Sequence, residues 1–183
     1  MDTTQSKKIL DIKVDANWLE ALALEKRGPR MFVNITSENA VGVMDRNQHS
    51  ITAKWRIPAD AQQNLPLFFD EPNHRLLLTT RKPSKLVVMD SDTGKVTISV
   101  PCVGIVDDIA YDAKLKRFYL SGDQFVEVFK QEDADHYTSL GKTASGFRAK
   151  TALFVPELNR YFLAVPRHGT KQAEVKIYEA TPK

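Results

Sequence analysis

RLLLTTRKPSKLVVMDSDTGKV, residues 75–96, is the stretch whose reading decides the fold. An arginine opens an apolar run, a polar turn follows at Arg81–Lys85, and a second apolar run closes on Asp90. Runs of this length rich in β-branched and apolar residues, bounded by turn residues, read as strands joined by a hairpin. The pattern recurs. Arg30-Met-Phe-Val, Arg117-Phe-Tyr-Leu and Arg160-Tyr-Phe-Leu repeat its opening, and the four arginines fall 45, 42 and 43 residues apart. A turn precedes each of them: KRGP, EPNH, DAKLK and PELN. Gly, Pro, Asn and Asp suit such turns because they supply unusual dihedrals or side-chain bonds to the backbone.

Asp45 closes VGVMD as Asp90 closes LVVMD, each fifteen residues after its arginine; FVEVF and EVKIY stand at the same place in the third and fourth copies. Outer strands are expected at ITAKWRI from Ile51, at KVTISV from Lys95 and, more weakly, at YTSLGK from Tyr137. ILDIKV from Ile9 looks like one more of these, ahead of the first copy. Trp18–Leu24 has a hint of helical spacing, but it stands where an innermost strand belongs and is read as strand. Period-two alternation otherwise dominates. Four strands every 42 to 45 residues match the usual blade of roughly 40 to 50 residues. The expectation is an all-β propeller of four four-stranded antiparallel blades, sixteen strands in one repeat array, with repeats near 8–50, 51–94, 95–136 and 137–181. A large barrel would explain the alternation but not the fixed recurrence of turn, arginine and Asp-terminated strand.

Residues 75–96, with their order of strand, polar turn, strand, Asp and Thr-Gly-Lys, resemble the repeat of YVTN or YncE-like propellers. Residues 30–58 follow it more loosely, with RNQHS in place of the TGK turn, and the last two copies more loosely still. The resemblance implies a propeller of seven blades, often exported; four blades and the absence of a signal-peptide core in MDTTQSKKILDIKVD depart from it. The compartment stays open.

Of the 183 residues, 42% are hydrophobic and 27% charged, and the net charge is +3. That is the ordinary globular range. Mild basicity permits an acidic ligand without requiring one, and it lacks the single basic stripe of a nucleic-acid protein. Cys102 is the only cysteine, which excludes an internal disulfide and a cysteine-rich metal site. It reads as a small packed hydrophobe. HExxH, GxSxG, phosphate-cradling and dinucleotide motifs are absent, the four histidines fall in turns of different blades, and no cofactor or membrane segment is called for.

In a propeller, the loops leading into the innermost strands and those joining second to third strands share one face. Here they are Asp15–Trp18, Ala59–Asn64, Cys102–Asp107 and Thr143–Lys150, with Ser37–Asn39, Arg81–Lys85, Gly122–Gln124 and Pro166–Ala173. Loops converging on one concavity make the default binding site. Arg81, Arg148, Lys150 and Arg167 gather there and could clamp a carboxylate or phosphate; polar loops in contact with water are the plain alternative. Asp107 and Asp108 could ligate a hard cation or supply a base, yet strand alternation turns them to opposite faces, and a capped turn reads better. Glu132–His136 lacks the glycine and terminal glutamate of a calcium loop. Phe147, between basic residues, suits a nucleotide or anionic sugar, or plugs the ring centre.

Two functions follow: a non-enzymatic module that binds an anionic small molecule or a protein at the loop-lined funnel, or a metal-assisted lactonase-type hydrolase. The second requires Asp107 or Asp108, Glu20 and Asn64 to meet at one central cation. Strand order adds a question of closure. Ile9–Val14 reads as an outermost strand without a blade, and the blade ending in Glu174–Tyr178 lacks one. Pairing them inside one chain would make a tight four-bladed ring; two chains exchanging them would make an eight-bladed ring. A longer propeller of which this is a portion would also satisfy both. Close packing between blades favours self-association or a truncated array over the tight monomer.

Overall fold

The computed structural model describes residue 8 and residues 10–182. They form four antiparallel sheets arranged blade after blade. Blade 1 comprises β1 (Leu19–Leu24), β2 (Arg30–Ile35), β3 (Ala40–Asp45) and β4 (Ser50–Arg56). Blade 2 comprises β5 (Gln62–Asp70), β6 (Arg75–Lys82), β7 (Ser84–Asp90) and β8 (Val96–Pro101). Blade 3 comprises β9 (Asp108–Asp112), β10 (Arg117–Ser121), β11 (Phe125–Gln131) and β12 (Tyr137–Ala144). Blade 4 holds β13 (Thr151–Val155), β14 (Arg160–Val165) and β15 (Glu174–Glu179). The innermost strands β1, β5, β9 and β13 pack side by side along the arc. Trp18–Leu24 is strand from Leu19 onward, as its repeat position requires. The remaining helical character is three single 3-10 turns.

The residues of the repeat motif have separable local jobs. His74 and Asn159, which end the turns before Arg75 and Arg160, hold left-handed dihedrals with φ of 54° and 52°, a region that Asn and His tolerate better than most residues. Asp45 and Asp90 each accept two backbone N–H groups of the turn that follows, from Asn47 and Gln48 and from Asp92 and Thr93. A strand closing on Asp therefore also folds its own hairpin.

Each blade buries one face against the next, through three clusters. Phe32, Val41 and Val43 of blade 1 meet Leu76, Leu78 and Met89 of blade 2. Leu77, Leu86 and Val88 meet Phe118, Leu120 and Phe129 of blade 3, where Tyr111 and Phe118 stack at 4.4 Å. Tyr119 and Val126 meet Tyr161 and Leu163 of blade 4. Fully burying one such side chain stabilises by about 1.5–3 kcal/mol. The outermost strand belongs to the following interface as well: Ala53, Trp55 and Ile57 pack with blade 2, and Ile98, Val100 and Cys102 with blade 3.

The repeat arginines bind these interfaces at the rim. Arg30 donates to the Ser91 carbonyl at 2.5 Å and pairs with Asp92 at 2.9 Å, beyond the third strand of blade 2. Arg75 pairs with Asp90 of its own blade and, at 2.8 Å, with Asp135 beyond the third strand of blade 3. Arg117 reaches the Thr181 carbonyl at 2.7 Å, beyond the third strand of blade 4. Among the described residues Arg160 bonds to Glu179 and the Asn159 carbonyl, both of its own blade.

The structure is an open arc. No hydrophobic cluster among the described residues joins blade 4 to blade 1, and β15 pairs with β14 alone. Of the expected strand Ile9–Val14, Ile9 lies outside the described residues and residues 10–14 belong to no sheet; Ile12 and Val14 pack on the outer face of blade 1. Of the sixteen strands expected, fifteen are formed among the described residues.

The Arg75 clamp is tested by comparison with Arg160, whose side chain is 38% exposed against 14% for Arg75. Arg75→Met should lower unfolding free energy by about 2 kcal/mol, the range of charge-assisted hydrogen bonds, and Arg160→Met by less than about 1 kcal/mol. Arg75 holds the Asp135 carboxyl below the usual carboxylate range. Its contribution is therefore complete above the unfolded carboxylate pKa and lost as pH falls through the lower folded value. In urea titrations the gap between wild type and Arg75→Met should be full at neutral pH and shrink below about pH 4.

Candidate functional site

Several of the loops expected on one face meet their neighbours in pairs. The Ser37 N–H donates to the Trp18 carbonyl, the Gln63 N–H to Asn39 Oδ1, the Cys102 N–H to the Ser84 carbonyl, and the Gln124 N–H to the Gly146 carbonyl. Two loops touch so closely at Gly122 that a Cβ there would lie 2.4 Å from the Gly104 oxygen.

Asp107 is the hub of this face. Its Oδ1 accepts from Arg81 Nη2 at 2.6 Å, and its Oδ2 pairs with Lys150 Nζ at 2.5 Å. Blade 2, the segment leading into blade 3 and the segment leading into blade 4 each contribute one charge. Arg81 Nε is buried and has no hydrogen-bond partner, a donor left over after the ion pair. Alternation turns Asp108 the other way, where Oδ2 accepts from the Ala152 N–H at 2.9 Å; burial raises its pKa, and that amide and Asp107 act against and with it respectively. The expected cationic group is therefore partly neutralised: Arg81 and Lys150 share one carboxylate.

Phe147 and Arg148 stand in the next loop. Phe147 stacks on His168 with centroids 4.1 Å apart and planes 22° from parallel, and the Arg148 guanidinium carbon lies 5.3 Å from the Phe147 centroid. Arg148 holds φ of 54°, and Asp123 Oδ1 accepts its N–H at 2.7 Å, so a side chain of blade 3 fixes the loop. Phe147, Arg148, Arg167 and His168 are exposed. The result is a flat aromatic platform with a cation at its face, beside a three-charge cluster.

The set required for a central cation does not assemble. Glu20 Oε1 accepts from Trp18 Nε1 at 2.7 Å. Asn64 is fully buried and donates to Asn34 Oδ1 at 2.7 Å and to the Ala40 carbonyl at 2.9 Å. With Asn34, which donates to the Leu65 and Pro66 carbonyls, it satisfies the backbone where β5 departs from its ladder. Among the described residues no group of three His, Cys, Asp or Glu is placed to hold a metal ion.

Two features do not show in the sequence pattern. Loop counting puts His168 on the same basic face, but nothing local announces that it stacks on a ring 21 positions away. Glu127 is buried, accepts the Val103 N–H at 2.6 Å and the Ser139 hydroxyl at 2.9 Å, and pins the loop ahead of Asp107. A glutamate alternating with Phe125 and Phe129 on one strand face was a legible signal, because buried carboxylates need specific partners.

No family model matches the chain, and no curated protein matches it. Solved structures do. The chain is similar to hydrazine synthase from Kuenenia stuttgartiensis, with TM-score 0.73 and 12% identity over 95% of this chain and 49% of that one. It is similar to a putative 6-phosphogluconolactonase from Bacteroides uniformis, at 0.68 and 14% over 86% and 53%. It is also similar to the dihydro-heme d1 dehydrogenase NirN, at 0.65 and 11% over 88% and 34%. The chain thus spans about half, or less, of these proteins. The likeness establishes the propeller fold.

Burial, with the Glu127 carboxylate a smaller influence, pushes the Cys102 thiol up to about 12. Only thiolate reacts readily with disulfide reagents. Cys102 should therefore be silent toward Ellman's reagent at pH 8 in the native protein and react stoichiometrically in guanidinium chloride. Rapid native labelling would contradict the packing of the loop beside Asp107.

Proposed function

We propose that this chain is a YVTN/YncE-like propeller module that binds an anionic small molecule carrying a flat or apolar part at its channel face. The observation that carries the reading is the exposed Phe147–His168 stack with Arg148 against it. An exposed aromatic pair needs a reason, since burying aromatic surface is favourable, and a ligand with a flat part would cover it. The anionic half of the ligand follows from the exposed Arg148 and Arg167 and from Lys150 of the Asp107 cluster. Arg81 and Asp107 act as a preset strap: the carboxylate orients the guanidinium, and an incoming phosphate or carboxylate shares Lys150 with it.

The hydrolytic reading draws on the putative 6-phosphogluconolactonases among the similar structures. It has less support here, because Glu20 and Asn64 are engaged away from Asp107. Both readings share an anionic ligand, so one set of measurements bears on both.

Isothermal titration calorimetry with 6-phosphogluconate and with a nucleoside monophosphate supplies the two chemistries. The nucleotide should bind more tightly, because only it can cover the stack. Phe147→Ala should weaken nucleotide binding about tenfold, near 1.4 kcal/mol, and leave the sugar acid nearly unchanged. Arg148→Ala with Lys150→Ala should weaken both, and added salt should weaken both further. No heat for either ligand, or affinity that ignores these substitutions, would overturn the proposal.

A further inference from the structure

Among the described residues nothing covers the outer face of blade 4. Leu153, Val175 and Ile177 are 61%, 64% and 61% exposed, and Phe162 and Ala164 lie between them in register. Every other interface of the arc buries such a face. At the far end, Leu22 and Leu24 of β1 are likewise exposed. Beside β15, where blades 1 to 3 carry an outermost strand, a cleft of about 370 Å³ opens between Tyr178 and Ala180 on one side and Val126, Val128 and Leu140 of blade 3 on the other.

The segment that fits this vacancy is visible at the other end of the arc. Ala53, Trp55 and Ile57 follow one another at two-residue steps and pack on blade 2; Ile98, Val100 and Cys102 do the same on blade 3. Ile12, Val14 and Ala16 have the same spacing and pack on blade 1, against Val33, Ile35, Ala40 and Met44. Residues 10–16 therefore occupy the place of an outermost strand of a blade ahead of blade 1. Two residues before the first of each trio stand Ile51 and Val96, which turn to the opposite side because the ladder bulges there. Leu10 stands at the equivalent place and is 40% exposed.

We propose that a second copy of this chain completes blade 4: its residues 10–14 pair with the free edge of β15, and its blade 1 covers Leu153, Val175 and Ile177. Exchange in both directions closes a ring of eight blades from two chains. The pairing of β7 with β8 sets the register. Ile98 opposes Val88 and Val96 opposes Met89; counted back from Asp90 and Glu179, the residues opposite Arg75 and Arg160, these correspond to Ile12 opposite Ile177 and Leu10 opposite Tyr178. Leu10 then enters the cleft between Tyr178 and Val128. Arg160 gains the reach across blades that Arg30, Arg75 and Arg117 have and it lacks, toward the turn after β3. The same chain cannot fill its own vacancy in this arrangement, because residues 10–16 ride on blade 1 at the opposite end of the arc.

A free strand edge accepts an added strand through main-chain hydrogen bonds, with side-chain pockets setting which one. The test is a cysteine pair, Ile12→Cys with Ile177→Cys, treated with a short bis-maleimide, since directly opposite residues have Cβ atoms about 5 Å apart. The expected result is a covalent species of twice the 20.7 kDa chain mass on a reducing gel, absent for either single variant. Light scattering at micromolar concentration should give the same dimer for the wild type. Ile177→Lys should give a monomer with unchanged far-ultraviolet circular dichroism. A crosslink within a monomer would mean a four-bladed ring and overturn the proposal. So would no crosslink together with a wild-type monomer, and so would a dimer that survives Ile177→Lys.

Discussion

The guanidinium of the repeat arginine ties each blade to its neighbour, and the rest of the arc depends on that arrangement. A four-stranded sheet twisted into a blade has two apolar faces and cannot bury either alone. The hydrophobic clusters supply the energy of stacking but leave two blades free to slide. Arg30, Arg75 and Arg117 remove that freedom, because each reaches beyond the third strand of the following blade and accepts only one placement. The carboxylates at the two paired positions, Asp92 and Asp135, are the complement of that reach. Charge-assisted bonds with fixed geometry specify register better than they add stability.

This division of labour explains what was legible in the sequence. The blades were legible because local rules write them: period-two alternation, turns before each arginine, and Asp at the end of a strand whose carboxylate folds the next turn. The arginine spacing gave away the repeat. The reason for an arginine did not show, because its partner lies 60 to 64 residues further on, in the next repeat. A sequence period carries what recurs and not what the recurring group touches.

The site was legible in part, and for the same reason. Arg81, Asp107 and Lys150 were placed on one face by counting loops, and they meet. Their charges were counted as a sum, whereas the fold pairs two of them with one carboxylate. Alternation correctly sent Asp107 and Asp108 to opposite sides. By loop position Asn64 belongs with the polar funnel residues, yet Pro66 disturbs the strand that follows and buried amides must repair the ladder. A polar residue near a proline in a central strand reads better as backbone repair than as a ligand.

The two proposals meet at Arg148. Its side chain lies against the Phe147 ring on the channel face, and the same residue lines a shallow cleft with Thr151, Ala164 and Val175 of the open blade face. A ligand that holds Arg148 therefore acts next to the surface that a second copy would cover. Blade 1 of that copy would bring its own loops, Asp15–Trp18 and Ser37–Asn39, to the edge of the platform. Binding and assembly are then linked, and linkage is reciprocal: a ligand bound tenfold more tightly by the dimer strengthens each seam by about 1.4 kcal/mol. In a closed ring both seams carry a platform. Ligand would then strengthen the dimer twice over, and dilution would weaken ligand binding.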